Sequence, residues 1–428
     1  MKRLADEMRE HLEKKIIPFW RSMRDESCGG YFSSVDYSLI TDEDAQKSIL
    51  THCGVLGFFS TAAVVLNEDS YLDDAQAAYD FIAKYFIDRE NGGVYISVSR
   101  EGEKSDVSKL TYAHSYAISA LTAYYQASAD PAALELALQI FDTVEEKCRC
   151  GLGYYDFLSE GFSPLINVHF SENGVMAYYT VNTAIMLAYT YAKLFEASGE
   201  EKVRAALVRI LSTFTDRMFN SFTGHLDQFF DMDMNPISRN PSYGHEAQAA
   251  WILDSAAVAL TTNDSSHQYD YIVNKCSEIC QTLAKNIYDE LRDGGLKDNI
   301  DGDDEYRWWV QAHGLLAMAN AYLTTLDEKY LKASYDMWDF IQDNIIDNRQ
   351  GGEWYHDMRD DGTHTETDAA NRWKGPEHNG LMCLSIIEWQ GACDVLEQYA
   401  PADDGVSFTI DPEPHHHHCD DDGCDCED

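Results

Sequence analysis

Two histidines in this chain stand where a loop turns into a helix. The run Ser242-Tyr243-Gly244-His245-Glu246-Ala247-Gln248-Ala249-Ala250-Trp251 opens a strongly apolar helix, with Ser242 as a suitable N-cap and His245 in the first turn. The partial positive charge of a helix start favours the neutral imidazole, which is the form a base needs near pH 7. The run Trp373-Lys374-Gly375-Pro376-Glu377-His378-Asn379-Gly380 is a polar loop ahead of the last apolar helix, expected from near Leu381. A third cluster, Tyr306-Arg307-Trp308-Trp309-Val310-Gln311-Ala312-His313, holds the corresponding place in another repeat. A lone histidine of this kind is more often structural than catalytic. Two on opposite sides of a cleft suit removal of a proton from one face of a carbon and delivery to the other. Tryptophans beside them suit a sugar, whose C–H faces pack on flat rings. Hydrolysis of a glycoside normally needs two carboxylates across the cleft, and no clear pair is visible.

These residues need a scaffold that brings distant segments together, and a repeat supplies one. Asp25-Glu26-Ser27-Cys28-Gly29-Gly30-Tyr31 returns as Asp88-Arg89-Glu90-Asn91-Gly92-Gly93-Val94-Tyr95. Weaker copies follow at Gly151-Leu152-Gly153-Tyr154 and Phe222-Thr223-Gly224-His225-Leu226. Clear ones return at Asp293-Gly294-Gly295-Leu296 and Asn348-Arg349-Gln350-Gly351-Gly352-Glu353-Trp354. Copies lie about 57 to 72 residues apart, which leaves room for two helices each. Residues 106–146 show both: Leu110, Tyr112, Tyr116, Ile118, Leu121 and Tyr125 form one stripe. After Asp130-Pro131, Ala133, Leu136, Ala137, Ile140 and Phe141 form the next. Six helix pairs at a steady period predict an all-α closed double ring, with an open α-solenoid as the competing arrangement. The glycine pairs are expected to end helices and to gather at one end of the ring, with longer loops and the site at the other.

Bulk composition narrows the function. The chain has 428 residues and a formal net charge of −42, a field that repels phosphate backbones and anionic membranes. A neutral mono- or disaccharide fits best, with no nucleic acid and no membrane partner. Aromatic residues make up 12% of the chain, enough for both core and sugar site. The start Met-Lys-Arg-Leu-Ala-Asp-Glu runs into a helical stripe of Leu4, Met8, Leu12, Ile16 and Ile17 with no apolar leader, so a cytoplasmic protein is expected. The 11 cysteines are mostly single and set in apolar helices, as expected of reduced thiols. Residues 1–400 are expected to form the barrel, as a monomer or weak homodimer. Residues 401–428 read as an acidic, disordered tail, with His415 to His418, Cys419, Cys424 and Cys426 as opportunistic metal ligands.

Over residues 5–395 the chain resembles the N-acylglucosamine 2-epimerase family, and the cellobiose 2-epimerases within it most closely. The matching segments are Ile17-Pro18-Phe19-Trp20, Gly29-Gly30, Gly92-Gly93-Val94-Tyr95, Ser171-Glu172-Asn173-Gly174 with Asn182, and Ser242-Tyr243-Gly244-His245. Trp308-Trp309-Val310-Gln311-Ala312, Gly351-Gly352-Glu353-Trp354-Tyr355 and His378-Asn379-Gly380 complete the set. The resemblance implies an (α/α)6 barrel that epimerises the reducing-end sugar at C2 without metal or redox cofactor. It implies that His245 and His378 are the proton-transfer pair, and that Tyr112, Asn182, Trp308, Trp309 and Trp373 contact the sugar. Gln248 and His313, at two further cleft positions, complete the expected substrate-binding set.

Four cleft positions depart from the family pattern. Gly54 replaces an Arg, Met186 a third His, Gln248 a Glu and His313 another Glu. The missing Arg and His would steady the open-chain oxygen, and water is expected in the space left at Gly54. Loss of such help costs orders of magnitude in rate. A sugar-binding homologue with weak or lost catalysis is therefore one alternative, and an aldose–ketose isomerase another. His114, absent from the family pattern, is either incidental or part of a rebuilt site.

Overall fold

The structure is a computed structural model that describes residues 1–166, 177–238, 241–262, 266–298 and 305–399. The Ser171–Gly174 match and the 401–428 tail lie outside the described residues. Helix α1 (Lys2–His11) runs through a π turn, Leu12–Ile16, into α2 (Ile17–Ser22), and the three form one rod. There follow α3 (Ile49–Val65), α4 (Tyr71–Phe81), α5 (Thr111–Ser128), α6 (Pro131–Thr143) and α7 (Val181–Ser198). Then come α8 (Glu201–Thr213), α9 (Tyr243–Thr261), α10 (Asp270–Glu290), α11 (Trp308–Thr325), α12 (Glu328–Asn344) and α13 (Asn379–Tyr399). Among the described residues these make twelve rods, alternating between two layers.

Residue pattern decides the layer. Helix α10 buries one stripe, Ile272, Cys276, Ile279, Leu283 and Ile287, as an outer helix must. Helix α3 buries nearly every side, His52, Ser60 and Gly54 included, so it stands inside. Helices α3, α5, α7, α9 and α11 pack in that order. Helix α13 closes the inner ring on α3, so tightly that a Cβ on Gly380 would lie 2.5 Å from the Phe58 ring. The outer ring closes where α1 meets α12, through Arg3 to Asp339 (2.8 Å) and Trp338 Nε1 donating to Glu7 (2.7 Å). This is an (α/α)6 barrel, as the repeat predicts, and it occupies the compact unit Met1–Gln390. The second unit, Gly391–Asp428, is described through residue 399 as helix. Among the described residues no helix is long and apolar enough to cross a membrane.

The glycine pairs differ from expectation in two ways. They turn β-hairpins just after the outer helices rather than capping the helices themselves. In the second repeat Ile87 bridges Val94, Asp88 N–H donates to Gly93 O, and Gly92 N–H donates to Asp88 O. The Asp88 carboxylate accepts from Glu90 N and Asn91 N and is paired at 2.7 Å with Lys109, both fully buried. Asp25 and Lys47 repeat the arrangement at 2.9 Å in the first copy. The second difference is position. The hairpins dock on the first turns of the inner helices, on the same end as His245 and His378. Among the described residues the other end carries short turns, such as Ala129–Asp130 and Gly199–Glu200. A hairpin and a strand-like segment are both needed to cross from an outer helix back to an inner one, so that end collects the long connections.

Candidate active site

His245 is placed as the sequence suggests. Ser242 caps α9 by accepting from His245 N at 3.1 Å, which puts the imidazole in the first turn. His378 immediately precedes α13, in a loop pinned from below. Buried Glu353 takes Lys374 Nζ at 2.8 Å and Asn379 Nδ2 at 2.6 Å, and Lys374 also donates to Ala369 O. Trp309 packs near both histidines, its ring centre 5.4 Å from His245 and 6.2 Å from His378. Trp308 meets His378 edge-on at 5.1 Å. Tyr112 lies 6.4 Å from Trp373 and shares a 2.9 Å hydrogen bond with Tyr116. Asn182 is the second residue of α7 and half-buried. A cavity of about 550 Å³ runs down the barrel axis. His378, His313, Gln248, Met186, Gly54 and Glu377 line one part of it, and Tyr116 another. His245, Trp308, Trp309, Tyr112, Asn182 and Trp373 are not among its lining residues.

Hydrogen bonds assign opposite proton positions to the two histidines. His245 Nδ1 lies 2.9 Å from Gln228 Oε1, while Gln228 Nε2 donates to Leu226 O. The amide oxygen can only accept, so Nδ1 carries the hydrogen and Nε2 keeps a free lone pair. On the other side, Trp251 Nε1 donates to His313 Nδ1 at 3.1 Å. His313 Nδ1 is thus an acceptor, and its hydrogen sits on Nε2. That Nε2 lies 2.8 Å from His378 Nδ1 and donates to it, which leaves His378 with its hydrogen on Nε2. Burial keeps both imidazoles neutral: it lowers His245 to about 4, with Arg307 adding to the effect, and His378 to about 3. His245 is a base in form and His378 a donor.

The replaced family positions form new contacts. Gln248 Nε2 reaches Met186 Sδ at 3.4 Å, a weak pairing where the resemblance implies Glu and His. Glu377 packs against Gly54, in part of the space where water was expected, and Gly54 also lines the cavity. A Cβ there would lie 2.5 Å from Glu377 Oε2. That oxygen is buried and has no hydrogen-bond partner among the described residues, and Oε1 lies 3.7 Å from His378 Nε2. Burial, with buried Glu353 nearby, pushes the Glu377 carboxyl up to about 8. Sequence reasoning missed Glu377, Gln228, Trp251 and Glu353. Of these, Glu377, Trp251 and Glu353 stand in segments singled out above, while Gln228 stands in none.

His114 proves structural. It is fully buried, its Nε2 accepts from Val94 N at 3.2 Å, and Nδ1 donates to Leu110 O. His52 does the same for Tyr31, and Gln311 for Leu296, each from the first turns of an inner helix. Glu246 serves Leu226 in that position and also holds His225, so it faces away from the cavity. Among the described residues no three His, Cys, Asp or Glu gather as metal ligands.

The family profile described as N-acylglucosamine 2-epimerase matches residues 29–374. The cellobiose 2-epimerase of Dictyoglomus turgidum is 34% identical over 91% of this chain and 99% of its own length. That of Ruminococcus albus is 37% identical over 90% and 98%. The solved structure of cellobiose 2-epimerase from Bacillus thermoamylovorans superposes with a TM-score of 0.85 at 33% identity, covering 91% of this chain and 100% of that one. A D-mannose isomerase structure at 17% identity, covering 89% of this chain and 97% of that one with a TM-score of 0.73, shares the fold.

Proposed function

Because this chain belongs to the N-acylglucosamine 2-epimerase family, we propose that it is a sugar 2-epimerase acting on the reducing-end residue of a neutral, cellobiose-like sugar. It interconverts the glucose and mannose configurations at C2. The observation that carries this reading is the pair of opposite proton positions on two histidines that both pack near Trp309. The sugar ring opens, His245 Nε2 takes the C2 proton, an enediolate forms, and the His378 side returns a proton to the other face. Half-buried Trp309 offers a flat face to the ring, and Trp308, Tyr112, Asn182, Gln248, His313 and Trp373 belong to the same proposed binding set. The enzyme works in the cytoplasm as a monomer or weak homodimer, without nucleic acid. The free, mostly buried cysteines and the net charge of −42 support that setting. Incubation with cellobiose in deuterated water tests the reading. Deuterium at C2 in both cellobiose and its C2 epimer is expected. A ketose as the sole product, or no label in any sugar that binds, overturns it.

A further inference from the structure

The hydrogen-bond chain that gives His378 its Nε2–H also limits what it can do. Its Nδ1 is occupied by the hydrogen of His313 Nε2, and His313 cannot shift that hydrogen to Nδ1, where Trp251 N–H points. If His378 surrendered its own proton it would be left as an imidazolate, a far weaker arrangement than a neutral ring. It is better suited to donate a hydrogen bond than to release a proton. Yet inversion at C2 needs a proton from that side. His378 also lines the axial cavity, and the wall of that cavity holds a second acid. Glu377 lies against Gly54, with Oε2 buried and unpartnered among the described residues and Oε1 3.7 Å from His378 Nε2. Gly54 makes the site possible, since any side chain there would displace the carboxyl.

We propose that Glu377 is a catalytic acid of this enzyme: its carboxyl hydrogen goes to C2, while His378 Nε2–H holds the enediolate oxygen. The inference rests on the C2 epimerisation proposed above. The step balances without any co-reactant. His245 Nε2 takes the C2 proton and becomes an imidazolium, and the C–H electrons form the C1–C2 double bond with the charge on O1. His378 Nε2–H donates to that oxygen. The electrons then return, C2 bonds to the hydrogen of Glu377 on the opposite face, and Glu377 is left as a carboxylate. Proton transfer from the His245 imidazolium to Glu377 through solvent resets the site. A carboxyl pushed up to about 8 by burial is still protonated at neutral pH, as this role requires.

The test separates the two half-steps. Wild type and Glu377→Gln are incubated with cellobiose in deuterated water, and C2 label is read in cellobiose and in the epimer. Glu377→Gln keeps the shape and loses the proton. Epimer formation is expected to fall at least ~100-fold, while label still enters cellobiose at C2, because His245 can remove and return a proton on its own face. Wild-type epimerisation is also expected to decline as pH rises through about 8, with the remaining exchange of the variant lacking that limb. Wild-type rates of epimer formation in the variant overturn the assignment. So does a parallel fall of exchange and epimerisation, which a merely structural role gives. Absence of both in the wild type overturns the epimerase reading itself.

Discussion

At the scale of single residues, the proposed chemistry depends on which nitrogen carries each proton. His245→Ala removes the base and is expected to lower kcat on cellobiose by ~10²- to 10⁴-fold, with label no longer entering C2. Gln228→Leu leaves the imidazole in place and frees its tautomer. Losing the group that orients a catalytic imidazole costs between ~10- and ~10⁴-fold, so a fall in kcat with little change in KM is expected. An unchanged kcat means the Gln228 contact does not set the tautomer. The two histidines and the tryptophans were readable because helix-start positions in a ring converge, whatever the intervening sequence. Glu377 was not readable as an acid, because its environment is made by Gly54, far away in the chain. The sequence presents Gly54 as a missing Arg. Only packing shows that the missing volume is occupied by a carboxyl.

At the scale of elements, one job recurs with different residues. Near the start of an inner helix, His52, His114, Glu246 and Gln311 each accept from the backbone N–H that follows a hairpin turn. His114→Ala leaves Val94 N–H buried and unpaired, an expected loss of ~1–3 kcal/mol by chemical denaturation. His114→Gln retains an acceptor, as Gln311 does, and should cost less. Neither should lower kcat once the protein is folded. The same residue gives a pH dependence. Burial lowers His114 to about 4, so between about pH 6.5 and 4 the unfolded chain takes up a proton that the folded one does not. Stability from this group is therefore full above 6.5 and is lost as pH falls. His11, His52, His245, His313 and His378 are shifted the same way by burial. Glu377, Glu246 and Asp254 are raised and act in the opposite sense. Between pH 6.5 and 5 the His114→Gln protein should lose up to ~2 kcal/mol less than the wild type. Equal slopes in the two proteins would mean that His114 is not held neutral. The stripes in the sequence predicted the helices themselves correctly. The hairpins were placed at the wrong end relative to the long connections and the two histidines, because the period fixes a ring without fixing its direction. Connection lengths carried the answer: Ala129–Asp130 joins α5 to α6 directly, whereas the connection from α6 to α7 runs from residue 144 to residue 180.

At the scale of the whole molecule, the barrel is a double ring whose first and last outer rods must meet. Helix α1 is tied to α12 by Arg3 with Asp339 and by Glu7 with Trp338. Trp20, on α2, donates to Glu353 at 3.3 Å, the same carboxylate that holds Lys374 and Asn379 on either side of His378. Val35 pairs with Ala370 just ahead of that loop. The N-terminal rod is thus part of the support of the candidate site, although it lies far from it in sequence. Removing residues 1–22 deletes Leu4, Met8, Leu12, Ile16 and Trp20, all fully buried. Each large apolar side chain is worth ~1.5–3 kcal/mol of burial, and a domain's whole stability is about 5–15 kcal/mol. The truncated chain should therefore not reach a cooperative folded state. Trp20→Phe is the milder version: it keeps most of the volume and removes the N–H to Glu353. It should shift the thermal midpoint slightly and lower epimerisation through a less firmly held His378 loop. The C-terminal segment is expected to behave in the opposite way. Residues 401–428 are rich in Asp and His and carry no apolar period, so a chain ending at residue 400 should melt within a degree or two of the full chain and epimerise cellobiose at the same rate. A lower midpoint or a slower rate in metal-free buffer would mean that the tail belongs to the working enzyme after all.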